Sequence, residues 1–268
     1  MANLRIGRQS GTPMSRRGRP ALVWLVVARA LLVLFAAGFA TVARAAGPAV
    51  EALGGWEGDS RAQGYGFAGA GILIPSGAKL VVPLRALGSY LYYDLNSSGT
   101  TTKVTSPGVT VMAGIRLAGT RGNFTLLGGG EVRQERRSVE AAGGTVENRR
   151  TSGVVLQIDG DTAFGRRWRG YLFSNYGGAS SYLYGRTAMR YQVTNIDWKG
   201  TRSFFLGLEG VRQGNNESDA VQGGGFAEWN FVAQRISLVL RSGYKESWSP
   251  GEEHLRGSYF GIGLYHRF

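Results

Sequence analysis

From about residue 50 onward the chain alternates. Val109, Val111, Ala113, Ile115 and Leu117 fall on one side of a period-2 pattern, with Thr110, Met112, Gly114 and Arg116 on the other. The next segment repeats the arrangement, with Phe124, Leu126, Gly128 and Val132 opposing Thr125, Glu131, Arg133 and Glu135. The closing stretch GSYFGIGLYHRF keeps the same rule to its last residue, where Phe260, Ile262, Leu264, His266 and Phe268 share one face. Successive side chains of a strand point to opposite faces, so each such segment is a strand with one apolar and one polar face. The pattern predicts about twelve strands, near residues 50–58, 64–74, 79–93, 103–118, 123–136, 150–163, 167–176, 181–193, 202–212, 220–232, 235–246 and 257–268. Few stretches hold a 3.6-residue period.

A soluble sandwich alternates too, so the pattern alone leaves two architectures open. The connections separate them. PSGA (75–78), AGTRGN (118–123), GRR (165–167) and VAQR (232–235) are short, whereas NSSGTTT, SVEAAGGTVENRR, QGNNESDA and ESWSPGEEHLRG are mostly longer and polar, and the two kinds largely take turns. Tight turns on one side, longer loops on the other and strands of about ten alternating residues are the pattern of outer-membrane barrels. The mean hydropathy of −0.12 agrees, because only one face of each strand meets lipid. We therefore expect an all-β fold, a transmembrane antiparallel up-and-down β-barrel of about twelve strands spanning 46–268. Such a barrel closes by pairing its last strand with its first, since an open edge in hydrocarbon leaves backbone groups unsatisfied. Phe260, Ile262, Leu264 and Phe268 are the expected closure face, with His266 in the same lipid-facing set near the periplasmic rim. A terminal strand ending in Phe also resembles the segment that outer-membrane assembly machinery recognises.

The first 45 residues read as a cleavable signal peptide. MSRRGRP supplies a positive start, ALLVLFAAGFATV an apolar centre, and Ala43-Arg44-Ala45 a small-x-small cleavage site. Seven arginines and no acid precede residue 46, so only +6 of the formal +13 belongs to the rest of the chain. There the charges of both signs are interleaved rather than gathered into a stripe, which argues against nucleic-acid binding. With no cysteine and two histidines, His254 and His266, neither a thiolate nor a histidine-rich metal site is expected, and no cofactor. No nucleophile with a base in reach stands out, so no catalytic residue is assigned. His254, among Glu252, Glu253 and Arg256, reads as a solvated loop residue.

GGWEGDSRAQGYGFAGAGILIP, FFLGLEGVRQGNNESDAVQGGGFAEW and YFGIGLYHRF resemble segments of the BcsS family of cellulose biosynthesis proteins, over roughly residues 50 to 268. The resemblance implies an outer-membrane barrel in a Gram-negative bacterium, accessory to the biosynthesis or secretion of cellulose or another exopolysaccharide. Cellulose synthase components, the glycan, outer-membrane lipid and the assembly machinery are the implied partners. A small-solute pore or purely structural barrel is the alternative, and a lipid-modifying barrel enzyme a third.

Following the alternation inward predicts a lumen network of Arg85, Arg116, Arg133, Arg186, Arg190 and Arg241 with Glu131, Asp159, Asp161, Glu209 and Glu228, joined by Lys245, Glu135 and Arg267. A barrel of about twelve strands lies between the side-chain-filled eight-stranded size and open channels of 16 to 18 strands. Long arginines reach across such an interior, and unpaired buried charge is costly, so a largely occluded lumen is expected, with Tyr182, Tyr184 and Tyr265 adding bulk. Trp248, on the Pro-Gly loop ESWSPGEEH, is the candidate glycan contact, because amphipathic rings stack on sugar faces. Gly128–Gly130 and Gly223–Gly225 sit within strands, where close packing explains glycine.

Overall fold

The computed structural model describes residues 47–268 apart from 62, 98–99, 140–143, 145, 196–201, 217 and 249–253. The signal peptide expected at 1–45 lies outside the described residues. Twelve strands follow in order: β1 (Ala49–Asp59), β2 (Gly64–Pro75), β3 (Leu80–Ser97), β4 (Thr100–Ala118), β5 (Gly122–Val139), β6 (Val146–Phe164), β7 (Trp168–Gly177), β8 (Tyr182–Asn195), β9 (Arg202–Gly214), β10 (Asp219–Phe231), β11 (Ile236–Trp248) and β12 (Leu255–Arg267). Each pairs antiparallel with its sequence neighbours. β1 then pairs β12, from Glu51 opposite Arg267 to Asp59 opposite Tyr259, and the sheet closes. Among the described residues no strand edge is left open, which is what a hydrocarbon surround demands.

The closing seam ends where the Phe268 amide donates to the Val50 carbonyl at 2.8 Å and the Phe268 ring meets His266 edge-on at 4.0 Å. Tight turns at this end join β2 to β3, β4 to β5, β6 to β7 and β10 to β11. In the turn after Phe164 the backbone of Gly165 takes φ +76°, which only glycine adopts without strain.

The alternation fixes what faces where. Val109, Val111, Val154 and Leu208 point outward and are 60–74% exposed, while Glu51 and Thr125 point inward with no exposure at all. This inverts the soluble arrangement: the apolar faces form an outer belt and the polar faces an interior. One apolar layer interrupts that interior, where Met112, Leu127 and Val155 pack with Leu87 on the inner side of β3–β6. Among the described residues no helix is long and apolar enough to cross a membrane; the strands do so.

The connections differ from the sequence reading. The described residues of NSSGTTT and SVEAAGGTVENRR are largely strand rather than loop, because β3 and β4 run 18 and 19 residues and β5 and β6 run 18 and 19, against 10 for β7. Cross-strand pairs hold these extensions: Asp94 faces Lys103, Glu135 faces Arg149, and Arg137 faces Glu147. Opposite charges in register stabilise a hairpin that buries no apolar face. Composition marked these stretches as polar, and polarity alone does not distinguish a loop from an extended hairpin.

Candidate functional site

The inner face concentrates the barrel's chemistry, and its partners come from strands far apart in sequence. Near the terminal end, Glu51 of β1 accepts from the Arg85 guanidinium of β3 at 2.5 Å and from the Tyr265 hydroxyl of β12 at 3.1 Å, with Arg116 of β4 3.8 Å away. Arg85 also reaches Asp159 of β6 at 3.4 Å, and Gln157 donates to the same carboxylate. A second cluster joins Asp161 of β6 to Arg169 and Arg190, and Arg190 to Glu228 of β10, which Ser237 of β11 also contacts at 3.1 Å. A third joins Arg186 of β8 to Glu209 of β9, which accepts from the Tyr259 hydroxyl of β12 at 2.8 Å. Toward the far mouth, Lys245 of β11 donates to Asp59 of β1 at 2.6 Å and Gln222 of β10 to Glu57 at 2.9 Å.

Buried charge of this kind is tolerated only when it is paired and hydrogen-bonded. The pairs are therefore geometric ties between walls of the barrel as well as electrostatic ones. Glycines make room for them. A Cβ on Gly243 would lie 2.7 Å from the Tyr259 ring, and one on Gly261 would lie 2.8 Å from the Arg241 side chain. Arginine faces also lie over rings: Arg186 stands 5.8 Å from the centroids of Tyr171 and Phe226, and Arg190 stands 5.0 Å from that of Phe205.

The predicted lumen residues fall into distinct groups. Arg85, Arg116 and Asp159 gather on Glu51; Asp161, Arg190 and Glu228 form the second cluster; Arg186 and Glu209 anchor the third. Glu131 and Arg133 pair with each other at 3.2 Å, above the Met112 layer, and Glu131 also accepts from the Ala179 amide at 3.0 Å, which ties the β7–β8 turn to β5. Arg241 faces inward, but among the described residues no carboxylate pairs with it. Tyr182 donates to Gln213 at 2.8 Å, and the Tyr184 ring meets Phe173 edge-on. Trp248 is not on a loop. It is the last residue of β11, opposite Asp219, with its ring stacked on His254 at 5.8 Å. His254 contacts Glu246 at 3.1 Å while its side chain stays 64% exposed, a solvated position as expected, and His266 is buried, not lipid-exposed, because the Phe268 ring covers it.

Sequence reasoning missed the acids of β1. Glu51, Glu57 and Asp59 all face inward, and Glu51 is the hub of the first cluster. Their period-2 spacing was a usable signal, but the opposite face of β1 mixes Val50 and Trp56 with Ala52, Gly54 and Gly58, while Leu53 and Gly55 share the acids' face, so the contrast is blurred. Gln222 and Tyr259 were missed for a similar reason, lying among glycines that blur the alternation. Among the described residues no three His, Asp or Glu side chains converge as metal ligands.

The family model for the cellulose biosynthesis protein BcsS matches residues 54–268. The chain belongs to the BcsS family. No curated protein sequence matches it. Among solved structures, the translocator domain of the autotransporter NalP from Neisseria meningitidis superimposes with a TM-score of 0.51 at 15% identity, covering 93% of this chain and 97% of that one. The β domain of the Bordetella autotransporter BrkA aligns with a TM-score of 0.49 at 15% identity, over 82% and 98% of the two chains. At such identity the likeness concerns the fold alone: this BcsS-family member is built as an outer-membrane β-barrel.

Proposed function

We propose that this BcsS-family barrel serves cellulose or a related exopolysaccharide from the outer membrane of a Gram-negative bacterium, as a closed accessory rather than an open conduit. Residues 1–45 direct export and are removed. Family membership supports the link to cellulose biosynthesis. The closed-accessory reading rests on one observation, the ties that bridge strands up to three places apart over the inner face, from β1 to β3 and on to β6, from β8 and β9 to β12, and from β10 and β11 back to β1, and so fill the interior with paired side chains. A chain of sugars threading this lumen would have to break several buried charge pairs at once, each costly to part.

In this reading the barrel positions components of the synthase machinery or the emerging glycan at the outer membrane. Trp248 at the far rim offers a ring for sugar stacking. The Phe268 end of β12 presents the closing strand to the assembly machinery, with Phe260, Ile262 and Leu264 toward lipid. The test is removal of the gene followed by complementation, reading cellulose yield and its retention at the cell surface. Wild type restores both, and Trp248→Ala restores yield with reduced retention. Unchanged cellulose on removal of the gene would overturn the reading, and full retention with Trp248→Ala would discard the stacking role.

A further inference from the structure

A concavity of about 1100 Å³ lies on the outside of the barrel, across the faces of β12 and β1 to β6. Ala68, Ala70 and Gly88 give it depth, because their small side chains leave a trough between Trp56, Val109 and Val132. It begins beside Phe268 at the terminal end and finishes at Gln134, Asn148 and Arg150 on the extended β5–β6 hairpin. Its surface is mostly apolar until that last part.

The charges at the upper end are sorted by face. On the inner side of the β5–β6 hairpin they are balanced: Glu135 binds Arg137 at 2.6 Å, Glu147 faces Arg137 and Arg149 faces Glu135. The outward positions of β4, β5 and β6 in this region carry Lys103, Arg136 and Arg150 and no acid. Lys103 is opposite Asp94 of β3, but Arg136 lies between Thr105 and Asn148, and Arg150 lies opposite Gln134. Both arginines are exposed, and among the described residues no carboxylate pairs with either. On β6 the exposed Val146 lies beyond Arg150 on the same face, and each arginine stands four residues from an outward valine of the belt, Val132 or Val154, which is about 13 Å along the strand. That is the level of lipid headgroups, not of hydrocarbon.

We infer that the trough holds an acyl chain of a phosphorylated glycolipid of the outer leaflet, with its phosphate bound by Arg136 and Arg150. Two arginines without an acid on their face match a phosphate monoester, which carries a charge near −2 at neutral pH, better than the single charge of a phospholipid diester. A second copy of the barrel fits less well, because a two-fold contact on this face would bring like charges together. The inference goes beyond the cellulose reading and stands or falls independently of it.

Native mass spectrometry of the purified barrel tests it, with bis-phosphorylated lipid A, its dephosphorylated form and phosphatidylglycerol as probes. The bis-phosphorylated lipid is retained at about tenfold lower concentration than either of the others, and the double variant Arg136→Gln, Arg150→Gln loses that advantage. Ala70→Phe, which fills the trough far from the arginines, weakens retention of the lipid while heat-modifiable gel migration reports an intact barrel. Equal retention of all three lipids, undiminished binding by the arginine variant, or a dimer mass without lipid would overturn the inference.

Discussion

Ion pairs in the lumen and ion pairs on the projecting β5–β6 hairpin use the same residues for different ends. In the lumen, the ties between strands join partners far apart in sequence, Arg85 and Glu51 by 34 positions, Arg85 and Asp159 by 74, Lys245 and Asp59 by 186, while Glu131 and Arg133 pair within β5. Their side chains are largely sequestered, Arg85 at 7% exposure and Glu51 at 0%. On the hairpin, Arg137 and Glu135 are two residues apart and stay partly wet. The first kind ties non-adjacent strands across the curved inner face, and Lys245–Asp59 does so over the closing β1–β12 seam; the second firms a local ribbon that neighbouring strands already hold. Distance in sequence, together with burial, separates a tie that defines the fold from one that decorates it.

Substitutions should separate the two kinds, beginning with the hub. Glu51→Ala leaves Arg85 buried without its nearest carboxylate, and removing one member of a buried pair costs about 3–5 kcal/mol. Urea titration of the barrel in lipid vesicles should show a large fall in midpoint; an unchanged midpoint would mean the lumen ties are solvated and carry little. A smaller effect is expected from Tyr259→Phe, which keeps the ring against Gly243 but removes one donor from Glu209 while Arg186 remains, a loss of about 1–2 kcal/mol by the same titration. A loss equal to that of Glu51→Ala would place the hub in the third cluster instead. Least affected should be Glu135→Gln on the hairpin, within about 0.5 kcal/mol of wild type. If it destabilises as much as the lumen variants, the contrast between the two regions fails.

The strand pattern was legible because a lipid-facing barrel writes its two environments into alternate residues. All twelve strands follow from that period, and the Val109–Leu117 and Phe124–Val132 runs face outward as the alternation requires. The extended hairpins were not legible. Above the belt both faces of a strand meet water, so the alternation that reveals a strand disappears even though the backbone continues. The partners of Asp159 and Glu209 were hidden for another reason: period-2 spacing says which face a residue is on, but only the curvature and register of the assembled sheet say which other strand it meets. Trp248 shows the local limit, since a Pro-Gly sequence after it suggested a loop while the register with Asp219 keeps it in β11.

The central claim is that charge pairs bridging strands up to three places apart around the barrel crowd and close the lumen, and planar-bilayer conductance of the purified barrel addresses it most directly. The wild-type protein should give small or no currents. Replacing Arg186 and Glu209 together with Ala removes the tie that Tyr259 completes across β8, β9 and β12, and currents should then rise. Large, stable open-channel currents from the wild-type barrel would contradict the account.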